Sequence, residues 1–316
     1  MGSTDPGGAD GDDASPRVAV VGSYNAGVVF ETPRFPVPGE TVVGTGFEEV
    51  VGGKGSNQAV GAARLGAEAR FVGCVGEDRY GEEAVALWDR EGVDASAVDR
   101  VEERTGVASI VVADDGENEI VVVPGANGAL DRERVEAARK AVAACDVLLV
   151  QLEIEDDAVA AAVEVASEAG LTVVCNPAPA RELPADVLGR VDYLTPNEQE
   201  ARTLAGLDPD AQVADADVAA RLRELGAGTV ITTLGADGAL VDDGTTRERV
   251  PAPAVDPVDT TGAGDAFNAA FAVALAEGRE PVAAARFGCA AGGASVTAFD
   301  VVPSLPDRER VEELVG

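Results

Sequence analysis

The sequence predicts an α/β fold built on a mostly parallel central sheet, with a smaller β-sheet set apart from it. Three observations carry this. Between residues 131 and 233 short apolar runs alternate with stretches of helical period, the pattern of a parallel sheet covered by helices on both faces. Polar residues recur where those runs end, at 151–153, 176, 195–200 and 232–235, the edge at which open α/β sheets take ligands. Two stretches, near 27–50 and 104–123, interrupt the alternation with short β patterns.

Taken in order, Arg17 to Gly22 reads as a buried first strand ending at Ser23-Tyr24-Asn25. The following stretch holds Pro33, Pro36 and Pro38 and shows no helical period, so it reads as a β excursion. Gly52-Gly53-Lys54-Gly55-Ser56-Asn57-Gln58 then leads into a helix predicted over Ala59 to Leu65. This is not a Walker A loop, because Gly55 follows the lysine and the spacing fails. Of 24 basic residues only Lys54 and Lys140 are lysines, so a lysine kept among glycines at a helix start points to a ligand more than to a solvated surface. Asn57 can offer that ligand both a donor and an acceptor.

A strand over 69–75 and a helix over 81–91 follow. The second β excursion, Thr105 to Val112 and Ile120 to Val123, turns at Asp114-Asp115-Gly116. Two excursions from one scaffold predict a single small sheet assembled from both. The regular part then predicts helices over 131–143, 157–169, 197–205 and 215–224, and strands over 146–151, 171–175, 191–194 and 229–233.

Asp259-Thr260-Thr261-Gly262-Ala263-Gly264-Asp265 precedes an apolar helix predicted from Ala266 to Ala276. Glycines at a helix start leave N–H groups free and let a ligand approach, and the helix dipole favours an anion there. Asp265 puts a carboxylate at that anion site. By itself it reads as an ordinary acidic first turn. Beside a phosphate it reads as a base that takes a proton from an attacking hydroxyl. Arg286 to Thr297 reads as a small-residue helix whose Gly and Ala content permits close packing against the 265–277 helix or against a flat ligand.

Composition excludes several classes. At 316 residues, 46% of them hydrophobic, the chain can bury a large core. The net charge of -33 opposes binding to nucleic acid or to an anionic membrane. So strong an excess of acid reads as adaptation to a salt-rich, halophilic cytoplasm, where salt screens the self-repulsion. There is no histidine, which removes Ser-His-Asp and Cys-His chemistry and His-bound metals. Cys74, Cys145, Cys175 and Cys289 lie far apart in apolar contexts and read as core thiols of a reducing, cytoplasmic compartment. Residues 1–16 are expected to be a disordered acidic tail without signal-peptide character, and no apolar run is long enough to span a membrane.

The signatures Gly52-Gly53-Lys54-Gly55-x-Asn57-Gln58 and Asp259-Thr260-x-Gly262-Ala263-Gly264-Asp265-x-Phe267 resemble those of the PfkB carbohydrate kinases, and within them the ribokinases. So do Pro38-Gly39-Glu40-Thr41, Gly125-Ala126-Asn127, Gln151-Leu152-Glu153, Asn176-Pro177-Ala178 and Thr195-Pro196-Asn197-Glu198. The resemblance covers about Val18 to Pro306. It implies a ribokinase-like three-layer αβα sandwich over 17–316, with a β-sheet lid from about 27–50 and 104–123 that pairs two subunits into a homodimer.

It also implies transfer of the γ-phosphoryl of ATP, with magnesium (Mg2+) and a potassium (K+) activator, to a primary hydroxyl of a small sugar. Ribose is the first expectation. Ribose 1-phosphate, a nucleoside, fructose and 2-keto-3-deoxygluconate are the alternatives. Asp265 would be the base, and Gly262, Ala263 and Gly264 the anion hole. Asn25, Gly53, Lys54, Asn57 and Glu153 would hold the sugar. Asn197, Thr233, Gly235, Gly238 and Cys289 would face the nucleotide, Cys289 where some ribokinases set a histidine against adenine. Glu200 would reach Mg2+ through water. Asp259, Thr261, Val296, Asp300 and Ser304 would surround the monovalent cation.

Two departures stand out. Ribokinases usually carry Asn-x-Asp after the first strand, where this chain has Asn25-Ala26-Gly27. Their usual Arg-x-Gly-Ala near the cation loop is here Ala298-Phe299-Asp300-Val301.

Overall fold

A computed structural model describes residues 15–316, so residues 1–14 of the expected tail lie outside the described residues. The strands are β1 (Arg17–Val21), β2 (Asn25–Thr32), β3 (Gly46–Gly52), β4 (Glu68–Gly76), β5 (Asp94–Val101), β6 (Gly106–Ala113) and β7 (Asn118–Val123). They continue as β8 (Val147–Gln151), β9 (Thr172–Asn176), β10 (Tyr193–Leu194), β11 (Thr229–Thr233), β12 (Ala239–Asp242) and β13 (Arg247–Val250). The large sheet runs β13-β12-β11-β10-β9-β8-β1-β4-β5, parallel throughout except for the β11-β12-β13 end.

Alternation along each buried strand divides the core into two layers. Val18 and Val20 of β1, with Val147 and Leu149 of β8, face helices Lys54–Arg64, Arg79–Glu91, Ala263–Ala276 and Pro281–Ser295. Ala19, Val21, Leu148 and Val150 face helices such as Asp156–Ala169 and Asp215–Glu224. A strand covered on both faces has no use for polar residues, which is why RVAVV and VLLVQ are almost wholly apolar. Helix ends follow their residues. Asp78 accepts from the Gly81 N–H at 3.1 Å to start one helix, and left-handed Gly92 ends it.

The small sheet has the order β3-β2-β6-β7. The β2–β6 pair, which joins the two sequence excursions, is parallel, and the outer pairs are antiparallel. It grows directly out of the large sheet, since β1 passes through Ser23 and Tyr24 into β2. Tyr24 packs edge-on against Trp88 at 5.5 Å, and Trp88 donates to Ser56 Oγ at 2.9 Å. That contact fixes the β1–β2 loop against the start of the Lys54–Arg64 helix.

Several predicted boundaries move. The helix expected from Ala59 begins at Lys54, because Gly53 takes φ 89 as its cap and frees the signature itself to be helical. The helix expected from Ala266 begins at Ala263, behind left-handed Gly262. The single helix expected over 131–143 is two short ones, Arg132–Ala137 and Arg139–Val142, with Ala138 between them. Strands β5, β12 and β13 have no counterpart among the elements expected from the sequence. β5 and β13 are charged edge strands open to water on one side (β13 reads RERV), and β12, ALVD, is buried but only four residues long, too short to show a period.

Candidate active site

The helix Ala263–Ala276 starts beneath the C-terminal ends of β8 and β9. Gly262, at φ 79, turns the chain so that the first helical N–H groups point outward. Among the described residues the Gly262, Gly264 and Asp265 N–H groups have no protein acceptor, while that of Ala263 reaches Thr260 O at 3.3 Å. A Cβ on Gly264 would meet nothing within 4 Å, so the turn is open there, while one on Gly262 would lie 2.5 Å from Val301 Cγ1. Of the expected anion hole, Gly262 and Gly264 therefore stand free and Ala263 is partly held by its own turn.

Asp265 is buried, and both its oxygens accept. Asn57 Nδ2 donates to Oδ2 and Gln58 Nε2 to Oδ1, each at 2.8 Å. Lys54, half-buried, has its ammonium held above the usual lysine range, first by Asp265 and then, against burial, by Glu153 and Glu200. These residues sit together because Gly53 and Gly55 let the helix start press against the β1–β2 loop. A Cβ on Gly53 would lie 2.6 Å from Tyr24 Cα, and one on Gly55 would lie 2.6 Å from Ser23 N.

Glu153, just after β8, is the second anchor. Its Oε2 accepts from Ser23 Oγ at 2.5 Å and from the Lys54 N–H at 2.9 Å. Glu153 and buried Asn25 line a cavity of about 350 Å³ with Val122, Asn127, Pro179 and Arg181. Asn127 shapes one wall. It donates to Asn25 Oδ1 at 3.0 Å and to Tyr24 O at 2.9 Å, and accepts from the Tyr24 N–H at 3.0 Å. Arg181 donates to Leu152 O, Ile154 O and Asp156. Val122 of β7 brings the small sheet over this cavity. Gly27 is one step beyond Asn25 on the same face of β2 and does not line the cavity.

Four of the residues expected on the nucleotide side, Asn197, Thr233, Gly235 and Gly238, gather just past the ends of β10 and β11. Asn197 bridges Thr233, whose N–H donates to Pro196 O at 2.9 Å. Asn197 and Glu200 form a reciprocal capping box, both bonds 2.8 Å, so one oxygen of each is spent on starting the helix Glu198–Leu204. Burial nonetheless holds the Glu200 carboxyl above its ordinary range. Gly235 faces open space. Gly238 does not, since a Cβ there would meet the backbone of Val250 and Ala252, so its glycine is required by the fold. Cys289 is buried in the core, its thiol pushed up to about 12 by burial. All four cysteines are buried and free.

Four of the expected cation residues, Asp259, Thr261, Val296 and Asp300, also meet. Asp259 accepts from the Thr261 N–H at 2.9 Å and from the Asp300 N–H at 3.3 Å. The Val296 carbonyl already accepts from Val258 and Asp259, at 2.7 and 3.3 Å. Ser304 Oγ, buried, donates to Val301 O at 2.9 Å and keeps its lone pairs. Asp300 stands at φ 67, ψ 154, a region that only glycine enters freely, and its Oδ1 caps the Val301 N–H at 2.7 Å. Burial, then Glu48 and Asp259, holds its carboxyl above the ordinary range.

Residues 15–308 match the pfkB family carbohydrate kinase. The chain belongs to the pfkB family. Within that family it is 39% identical to the ribokinase of Haemophilus influenzae, over 94% of this chain and 98% of that one. It is 40% identical to the Bacillus subtilis ribokinase, over 95% and 99%. The solved Arabidopsis thaliana ribokinase, complexed with ribose and ATP, superposes with a TM-score of 0.89 at 34% identity, over 96% and 99% of the two chains. The chain therefore has the ribokinase-like α/β fold and is a phosphotransferase of the pfkB family.

Of the residues expected from the sequence, Asp265, Lys54, Asn57, Asn25 and Glu153 do converge. Gln151, Asn176 and Thr195 were expected only as strand-end residues at the ligand edge, and Ser23, Gln58, Asn127 and Asn268 were given no individual role, yet all join the hydrogen-bonded region around Asp265 and Glu153. The available signal was a polar residue closing an apolar strand, as in VLLVQ and TVVCN. What such a residue bonds to is a tertiary matter. Among the described residues no helix is long and apolar enough to cross a membrane.

Proposed function

We propose that this protein phosphorylates the primary hydroxyl of ribose with ATP, giving ribose 5-phosphate. The observation that carries the reading is Asp265, a buried carboxylate gripped by two amides at the start of a helix whose free N–H groups suit a phosphoryl group. In this reading the acceptor lies in the cavity beside Asn25 and Glu153. Asp265 takes the proton of its hydroxyl as that oxygen attacks the γ-phosphorus. The bond to the β–γ bridging oxygen breaks and ADP leaves. Gly262, Ala263 and Gly264 N–H groups and Lys54 steady the charge on the transferring group.

Glu200 suits Mg2+ through water, since its second oxygen is not needed by the capping box; the ion would neutralise nucleotide phosphate charge. Asp259, Thr261, Val296, Asp300 and Ser304 would offer K+ oxygen ligands only, from carboxylates, carbonyls and a hydroxyl. The acidic sequence, with its net charge of -33, favours a halophilic cytoplasm as its setting. A homodimer through the small sheet is favoured by its outer face, where exposed Phe30 and Phe47 pack at 5.6 Å beside Val121 and Val123, opposite the cavity-facing Val122. Light scattering in high salt tests the dimer.

A coupled assay for ADP release against ribose, ribose 1-phosphate, fructose, 2-keto-3-deoxygluconate and nucleosides tests the activity. Ribose should give the highest kcat/KM. A higher value for any other acceptor would reassign the substrate, and no release with any would remove the reading.

A further inference from the structure

We infer that Gln58 and Gln151 are positioning residues, forming a one-way chain of amides that sets the rotation of the Asp265 carboxylate. The inference rests on Asp265 being the base. Gln151 Nε2 donates to Gln58 Oε1 at 2.5 Å, and Gln58 Nε2 donates to Asp265 Oδ1 at 2.8 Å and to Asn176 Oδ1 at 3.1 Å. Gln58 and Gln151 have no exposed surface at all. Neither amide is open to bulk solvent.

The direction of the chain follows from its end. An ionised carboxylate only accepts, so Gln58 must present its NH2 to Asp265. Its carbonyl then faces Gln151, which must present its own NH2 in turn. The cost falls on Gln151 Oε1, which is buried without a partner among the described residues. A buried acceptor left open is tolerated only where the rest of the arrangement is worth more.

A second branch grips the same helix turn from the backbone side. Asn176 Nδ2 donates to Thr195 O at 3.2 Å, Thr195 Oγ1 to Asn268 Oδ1 at 2.5 Å, and Asn268 Nδ2 to Gly264 O at 2.8 Å. The network thus ties the ends of β8 and β9 to both the base and the glycine turn beside it. With Asn57 holding Oδ2, Gln58 holding Oδ1 leaves the carboxylate one orientation toward the acceptor.

The test is the isosteric variant Gln151→Glu. When protonated, the carboxyl introduced at this position donates to Gln58 as the native amide does. When ionised, it only accepts and meets the Gln58 carbonyl, so Gln58 is driven to flip its oxygen toward Asp265. The variant-to-wild-type ratio of kcat should therefore fall as pH rises, by up to about 100-fold, the loss a misplacement of about 1 Å can cause. KM for ATP and acceptor should hold. The titratable groups facing the network are Asp265, Lys54, Glu153 and Glu200, and all are present in both proteins, so the ratio isolates position 151.

Gln58→Met, which keeps the shape and removes every bond, should lose kcat at all pH values while circular dichroism and ADP binding stay native. The acceptor used is whichever the wild type turns over best. A ratio for Gln151→Glu that is flat with pH, or a folded Gln58→Met with wild-type kcat, would overturn the inference. Asp265→Asn run alongside separates the two readings. If it alone loses activity, only the positioning role fails; if it keeps activity, the base assignment fails.

Discussion

Val50 fills the space in front of Gly27. The two are cross-strand partners on β3 and β2, and a Cβ on Gly27 would collide with Val50 Cγ2 and lie 3.3 Å from the Val50 carbonyl. The missing carboxylate at position 27 and the isopropyl group at position 50 therefore have to be considered together. Gly27→Asp alone should destabilise the fold by about 1–3 kcal/mol through overpacking. Gly27→Asp with Val50→Ala should fold, and should lower KM for ribose about tenfold or more, since a hydrogen bond to a charged group is worth about 1.5–3 kcal/mol. It should raise KM for ribose 1-phosphate. Steady-state kinetics on ribose, ribose 1-phosphate, fructose and a nucleoside check this. Unchanged KM values throughout would mean that position 27 does not touch the acceptor.

Asp265→Asn should lower kcat by roughly 10²–10⁴, the span of a general base, and leave ADP binding nearly intact. It should also destabilise modestly. Both oxygens of Asp265 accept from amide donors, so the new NH2 must face one of them, and the pair it replaces was worth about 1.5–3 kcal/mol. Turnover and thermal melting are measured together. More than a tenth of wild-type activity in a folded variant would refute the assignment.

Asp300→Gly should stabilise the protein near neutral pH by about 1 kcal/mol. The substitution relieves backbone strain of about 1–3 kcal/mol, and loses the side-chain cap on Val301. The pH dependence has a definite sign. The Asp300 carboxyl is held above its unfolded value, so the folded state binds the extra proton. Its contribution is whole below the unfolded pKa of about 4 and is lost as pH rises through the folded one. The advantage of Asp300→Gly should therefore be larger near pH 7 than near pH 4, as judged by denaturant titration at both. A variant less stable at both would show that the aspartate is not strained.

Potassium should do more than screen charge. Raising total salt from about 0.1 M to about 1 M shortens the Debye length from about 10 Å to about 3 Å and should raise the melting temperature with any monovalent salt. At fixed high ionic strength, K+ should support more activity than Na+ or a large organic cation, with circular dichroism unchanged. Equal activity in all three would discard the cation role of Asp259, Ser304 and Asp300.

The residues alone determined the layered α/β architecture, because a strand buried on both faces must be apolar along its length and its helices must show a period of their own. They also determined the two glycine-rich helix starts and the chemistry attached to them, Lys54 and Asp265, since that information is local and the glycines announce the turn. Tertiary structure decided which polar residues act together. Gln58 and Gln151 lie 93 positions apart, and Gln58 and Asp265 lie 207 apart. Nothing in either segment says that their amides meet. It decided that Val50 closes the space beside Gly27, which depends on the register of β2 against β3. It decided also that Gly238 serves the backbone of Val250 while Gly235 stands open, although the two read alike in sequence. Periodicity reports which face of an element is buried; only the packed chain specifies what that face is buried against.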